Sequence, residues 1–139
     1  MKKITAVIFC MLFFVALNVK SQERIAMVDL NNYYEAGASE AIYYQIFSLP
    51  ISFNQKQIDD LKVNSLAYKH VKDISVSKTN DSYVVKLLLD KETESISGYF
   101  RDYLLNLSIN KVVIDGKKIN TVDYYSYLSQ KLTHKEVAN

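Results

Sequence analysis

The chain has little of several residues on which small folds commonly depend. Of its 139 residues, one is cysteine, one is proline, three are glycine and none is tryptophan. A single cysteine excludes an intramolecular disulfide, so the fold must be held by packing. So few glycine and proline residues do not supply the many tight turns of a β-sandwich or a propeller. Two isolated histidines, His70 and His134, do not have the spacing of a zinc site, and we predict neither a metal nor a cofactor.

The short motifs of nucleotide-binding and nucleophilic enzymes are also missing. The sequence contains no P-loop, no GxGxxG, no GxSxG and no SxxK. We therefore predict no catalytic residue and favour a non-enzymatic protein. The alternative is a hydrolase acting on cell-wall or polysaccharide material, because two carboxylates can converge from anywhere in a fold. The nearest acidic cluster is Asp90, Glu92 and Glu94, for which the first turn of a helix is a sufficient structural role.

The longest apolar run lies at the start of the chain. Lys2 and Lys3 precede the 16 uncharged residues ITAVIFCMLFFVALNV. This is the pattern of a secretory signal peptide, and it is shorter than the ~20 residues that span a bilayer. Val19 and Ser21 have small side chains at the positions three and one residues before the cut, which suits cleavage between Ser21 and Gln22. We predict a signal peptide at 1–21 and one exported domain at 22–139, periplasmic or extracellular; an uncleaved inner-membrane anchor is the alternative.

The leader resembles those of proteins exported by Gram-negative bacteria, through its Lys-Lys start, its Ile/Phe-rich core and its Ser-Gln junction. That resemblance implies export and no particular activity. Removal of 1–21 takes away three lysines, so the formal charge changes from +2 to −1, with 14 basic against 15 acidic residues. A nearly neutral domain without a Lys/Arg cluster lacks the charge that nucleic acid requires, so we predict no nucleic-acid partner. Contact with a membrane is expected only through an uncleaved leader.

Hydrophobic periodicity predicts a single α+β domain with the element order ααββαββα. About four antiparallel strands would have the helices packed on one face. The predicted elements are a helix at 32–47, a helix capped by Ser52 or Asn54, a hairpin at 71–89, a helix starting at Asp90, a hairpin at 111–120 around Asp-Gly, and a last helix capped by Thr121.

Tyrosine is the unusual abundance, with eleven residues and three doublets. On the predicted helices, Tyr34 and Tyr125 would face the core, which places Tyr33 and Tyr124 at its edge. Tyr44 follows Tyr33 by three helical turns and would share its side. Such rings suit a partly wet protein interface, stacking on sugar, or the rim of a core. We predict binding residues Tyr33, Tyr44 and Tyr124, and a partner that is another protein or an envelope component.

Overall fold

The computed structural model describes residues 23–30, 34–36, 43–90 and 96–137. The predicted signal peptide at 1–21 lies outside the described residues. The elements are β1 (Ile25–Val28), β2 (Tyr34–Ala36), β3 (Tyr43–Pro50), α1 (Gln55–Leu66), β4 (Val71–Lys78), β5 (Ser82–Leu89), α2 (Ile96–Asn106), β6 (Lys111–Ile114), β7 (Lys117–Asn120) and α3 (Tyr124–Val137), with a 3-10 turn at Thr121–Asp123 before α3.

The described strands form one sheet in the order β4-β5-β3-β1-β6-β7, and β2 pairs with β3. All pairings are antiparallel except that of β1 with β6, which is parallel. The predicted α+β class is confirmed. The predicted strand count and element order are wrong, because the described chain contains seven strands and runs βββαββαββα.

The main error is the helix predicted at 32–47. Tyr34–Ala36 and Tyr43–Pro50 are instead the strands β2 and β3, which pair with each other. Aromatic and β-branched side chains favour a pleated, half-buried surface, and a dense apolar run fits the helical and the strand period equally well. Along β3, Gln45, Phe47 and Leu49 are buried and the residues between them are partly exposed, which is the strand period.

Both predicted hairpins are present. The β4–β5 turn is closed by the Thr79 amide donating to the Ser82 carbonyl at 2.8 Å. The β6–β7 turn is the predicted Asp115-Gly116 pair, with φ of 49° and 78°. Two consecutive positive φ values are those of a type I′ turn, whose twist matches that of the strands. The β5 strand lies between β4 and β3, which is the interior position expected of a strand that is apolar on both faces.

One face of the sheet carries the core. The buried residues of the four inner strands β5, β3, β1 and β6 occur at alternate positions. They form one cluster with the buried residues of α1, α2 and α3. Since alternate strand residues point to the same face, the three helices all cover that face, which we call the inner face. At its centre the ring of Phe47 lies 5.3 Å from that of Phe100 and 6.0 Å from that of Tyr103.

The helix caps were predicted correctly in one case and wrongly in another. Asn54 caps α1 through a reciprocal pair of bonds with Gln57, at 2.9 and 2.8 Å. Thr121, in contrast, is buried, and its hydroxyl donates to the Ile109 carbonyl at 2.7 Å. It begins the 3-10 turn rather than capping α3.

That turn also changes which side of α3 is buried. A 3-10 segment has three residues per turn, so residues following it take different positions from those of a continuous α-helix. Tyr124 and Leu128 are buried, whereas Val122 is 59% exposed and Tyr125, predicted to face the core, is 45% exposed.

Candidate functional site

The face of the sheet opposite the helices is the first candidate site, and we call it the outer face. Residues on β5, β3, β1 and β6 that alternate with the core positions point to it. Its centre, the central patch, consists of apolar side chains on four adjacent strands, each of them partly exposed: Ile25, Met27, Tyr44, Ile46, Val84, Leu88 and Val113.

Strand register makes these side chains neighbours. Tyr44 is directly opposite Leu88, and Met27 is directly opposite Val113. Because all three described helices pack on the inner face, no described helix covers this patch. Ser48 lies opposite both Met27 and Val84, and Lys86 lies opposite Ile46, so the other apolar neighbours meet on the diagonal between strands. An exposed group of apolar side chains on one face of a sheet is a feature of interaction sites.

One basic side chain lies within the central patch. The Nζ atom of Lys86 is 4.1 Å from the centroid of the Tyr44 ring. Lys86 is opposite Ile46 in the β3–β5 register, so it approaches Tyr44 on the diagonal. This is a cation–π contact between the ammonium group and the face of the ring. A partner that approaches this part of the outer face therefore meets both an aromatic ring and a positive charge.

The edge strands make the outer face polar at both sides. On β4 the outward positions are Asp73, Ser75 and Ser77, and on β7 they are Lys118 and Asn120. The Nζ atom of Lys118 is 2.9 Å from a carboxylate oxygen of Glu23. An apolar centre with a polar rim is the usual anatomy of a protein–protein interface.

The structure does not bring the three tyrosines predicted as binding residues into one site. Tyr44 lies in the central patch, although on a strand and not on the predicted helix. Tyr33 lies outside the described residues. Tyr124 was predicted at the edge of the core, and this is wrong: its side chain is fully buried, with its ring 5.5 Å from that of Phe100. The 3-10 turn before α3 is the physical reason, because it rotates Tyr124 inward and Tyr125 outward.

The abundance of tyrosine is explained mainly by the core. Tyr68, Tyr99 and Tyr103 form an aromatic cluster in which the Tyr68 ring is 5.6 and 5.4 Å from the other two. The Tyr103 hydroxyl is 2.7 Å from the Ser65 hydroxyl, and the Tyr99 hydroxyl donates to the Lys69 carbonyl at 2.6 Å. These tyrosines fill volume while their hydroxyls find buried or half-buried partners.

Burial raises the pKa of Tyr99 and Tyr103 well above the ordinary value of 10.0, in Tyr103 against a small lowering by the Ser65 hydrogen bond. In the unfolded chain both phenols ionise near pH 10, whereas in the folded chain they stay neutral. The stability they contribute is therefore complete below pH 10 and is lost as the pH rises above it, by about 1.4 kcal/mol per pH unit for each tyrosine.

We therefore expect the free energy of unfolding to decline less steeply above pH 10 in a Tyr99→Phe, Tyr103→Phe double variant than in the wild type. Urea unfolding across the alkaline range measures both slopes. Because lysines also titrate there, the comparison uses the difference between the two proteins. Equal slopes would show that these phenols titrate alike in the folded and unfolded chains.

His70 and Asp90 form an exposed hydrogen-bonded pair where β4 begins and β5 ends. The His70 Nδ1 atom is 3.1 Å from one carboxylate oxygen of Asp90, and the Lys72 ammonium is 3.5 Å from the other. The Asp90 amide donates to the His70 carbonyl at 2.9 Å, and His70 has a φ of 68°. These contacts fasten the residue before β4 to the residue after β5, which is a structural role.

A groove of about 480 Å³ opens beside the central patch. Met27, Ser48 and Val113 contribute outer-face side chains to its lining. Asp29, Asp81 and Asp115 also line it, and the Asp115 carboxylate accepts from Lys131 at 2.9 Å. These are the carboxylates that the structure brings to one cavity, and they differ from the Asp90, Glu92 and Glu94 cluster considered from the sequence. Glu92 and Glu94 lie outside the described residues.

Apart from Tyr44, the outer-face residues of β1 and β3 were missed because neither strand was predicted. A signal for part of the patch was present, since the continuous apolar run from Tyr83 to Leu89 predicts a strand with apolar side chains on both faces. Val84 and Leu88 in that run could have been assigned to a second apolar surface. The other members depend on knowing which strands lie beside β5.

Neither membrane-spanning helices, nor metal-binding groups, nor similar proteins identify a function for this chain. Within the described ranges, no helix is long and apolar enough to cross a bilayer. Among the same residues, no group of three or more His, Cys, Asp or Glu side chains is arranged to hold a metal ion. The chain matches no family model, no curated protein and no solved structure.

Proposed function

We propose that this chain is a small exported binding module of the bacterial envelope, without enzymatic activity, that binds another protein through the outer face of its sheet. The observation that supports the binding role is the central patch, an apolar surface across four strands on the face that no described helix covers. The sequence pattern at 1–21 supports the export.

The partner that fits this surface is a folded protein with an apolar patch and at least one carboxylate. Burial of apolar side chains supplies the main favourable free energy of such an interface. The ammonium group of Lys86 lies within the patch, so a partner carboxylate would meet a positive charge there. A sugar would fit less well, because the patch contains a single aromatic ring, Tyr44, and is otherwise aliphatic or thioether.

The test is site-specific photo-crosslinking in the native organism, with the full chain carrying its own leader. A photoreactive residue replaces Val84 in the central patch, or Val63 as the matched control. Val63 is a valine on α1 with 69% of its surface exposed. We expect one specific crosslinked protein from position 84 and none from position 63. The same crosslinks at both positions, or none at position 84, would contradict the proposal.

The partner is then identified and purified, and its affinity is measured directly. Val84→Asp is expected to weaken binding by at least about ten-fold, because it places a carboxylate within an apolar contact. The intact mass of the protein from the same cells tests export: a first residue of Gln22 supports cleavage, whereas an intact Met1 supports the anchored alternative.

A second candidate function, carboxylate-dependent hydrolysis of polysaccharide, is favoured by one observation. Asp29, Asp81 and Asp115 line the same groove of about 480 Å³. If this groove is catalytic, purified protein should release reducing ends from cell-wall or polysaccharide material, and Asp29→Asn or Asp81→Asn should abolish that release. The binding-module proposal expects no release by the wild type.

A further inference from the structure

Among the residues that the structure describes, the sheet ends at β7, and the outer edge of this strand is a second candidate site. In the described chain, β7 pairs with β6 on one side and no strand lies on the other. The register is Lys111 with Asn120 through Ile114 with Lys117. One side of a four-residue strand is therefore available for pairing.

The direction of each β7 backbone group follows from the hydrogen bonds at its two ends. Lys117 and Ile114 flank the two-residue turn and are a hydrogen-bonded pair. Beyond the other end of β7, the Thr121 amide donates to the Asn110 carbonyl at 2.9 Å. Since the direction alternates along a strand, Lys117, Ile119 and Thr121 bond towards β6. Lys118 and Asn120 therefore point their amide and carbonyl groups away from the sheet.

A groove lies along this edge, between β7 and α3. Its volume is about 340 Å³. Ile119 and Tyr127, both packed against the core, give it an apolar floor. The other lining residues are polar: Lys111, Lys118 and Asn120, whose side chains lie on the outer-face side of the edge, and Asp123, Ser126 and Gln130 on the helical side. A strand edge beside a helix is an arrangement in which proteins accept an extended peptide as an additional strand.

Charge decides which peptide fits. Lys111 and Lys118 line the groove, and the Nζ atoms of Lys117 and Lys131 lie 5.2 and 5.5 Å from the centroid of the Tyr127 ring. Lys118 already binds the Glu23 carboxylate at 2.9 Å, in a pair whose side chains are 49% and 47% exposed. An ion pair this exposed contributes little to stability. A carboxylate of a peptide could therefore replace Glu23 as the partner of Lys118.

The same lysines disfavour a second copy of this chain as the occupant. Two β7 edges placed side by side would bring lysines against lysines, which is how natural edge strands resist self-association. We propose that the β7 edge and the β7–α3 groove bind an extended acidic segment of another polypeptide, which adds a strand to the sheet. This site does not depend on the outer-face proposal.

The probe is a short synthetic peptide of alternating Glu and Val, with the alternating Lys and Val peptide as its control. Titration followed by amide NMR is expected to shift the Lys118, Ile119 and Asn120 signals with the acidic peptide only. It should also slow hydrogen exchange at Lys118 and Asn120, whose amides would become bonded. Equal binding of both peptides, or shifts confined to other parts of the chain, would overturn the proposal.

Asn120 offers a matched pair of variants. Its φ of −72° suits proline, so Asn120→Pro removes the outward amide with little backbone strain. Asn120→Ala removes the side chain and keeps the amide. We expect about ten-fold weaker peptide binding in Asn120→Pro, the effect of one main-chain hydrogen bond, and a change within about three-fold in Asn120→Ala. Equal effects of the two variants would contradict strand addition.

A charge reversal provides a test that does not depend on tolerance of proline. Lys118→Glu is an exposed substitution on an edge strand and should leave the fold intact. It is expected to reduce the preference for the Glu-Val peptide at least about three-fold without reversing it, because Lys111, Lys117 and Lys131 keep their positive charges. An unchanged preference would overturn the assignment of peptide selection to the charge at the β7 edge.

Discussion

Val85→Asp is expected to unfold the protein, whereas Val84→Asp should leave it folded. Val85 is fully buried on the inner face of β5, opposite Phe47 and Val76. A carboxylate there loses its hydration without a partner, and we expect destabilisation of more than about 4 kcal/mol. Val84 points to the outer face, where its cross-strand neighbours are Ser48 and Ser77.

Val84→Asp is the control for Val85→Asp, because both residues are valines in the same strand, β5. We expect Val84→Asp to cost about 1 kcal/mol, the scale of strand propensity at a partly exposed position. Urea unfolding monitored by circular dichroism measures both variants. Equal destabilisation of the two would show that the outer face is as fully packed as the inner face, and the central patch would not be a binding surface.

Phe100→Ala is expected to destabilise the fold by about 3–5 kcal/mol. Phe100 is fully buried on α2, and its ring centroid lies within 5.3–6.1 Å of those of Phe47, Tyr103 and Tyr124. These rings come from α2, α3 and β3, so the truncation opens a cavity where three elements meet. A domain with a total stability of about 5–15 kcal/mol would lose a large part of it.

Two further variants distinguish a cavity from a general effect of substitution. Phe100→Leu keeps most of the volume and should cost less than about 1.5 kcal/mol. Tyr125→Ala removes an aromatic ring that is 45% exposed and should cost about 0.5 kcal/mol. If Phe100→Ala cost no more than Tyr125→Ala in urea unfolding, the aromatic centre of the core would be placed wrongly.

The elements that were predicted correctly are those whose signals are local. Asn54 caps α1 because its side chain reaches an amide three residues away, and Asp115-Gly116 forms a turn because both residues tolerate positive φ. The helical spacing of Phe100, Tyr103 and Leu104 puts them on one face of α2, and all three are fully buried. None of these features requires knowledge of a distant residue.

The strands β1 and β3 show why local patterns were insufficient elsewhere. Tyr43–Pro50 contains apolar residues at helical and at strand intervals, so its own sequence does not select one conformation. Its selection as a strand depends on β5, which pairs with all eight of its residues, from Tyr43 with Leu89 to Pro50 with Ser82. β1 has four residues and is placed by β6, which lies more than 80 residues further along the chain.

The candidate sites were subject to the same limit. Sequence alone determined the composition, the two hairpins, the Asn54 cap of α1, the buried face of α2, and the unusual supply of tyrosine. Only the tertiary structure decided that Tyr124 is buried, that Tyr44 lies on the outer face, and that β7 is the last of the described strands at its side of the sheet. The physical reason is that a binding surface is defined by neighbours across strands, and cross-strand register is set by long-range pairing that no single segment encodes.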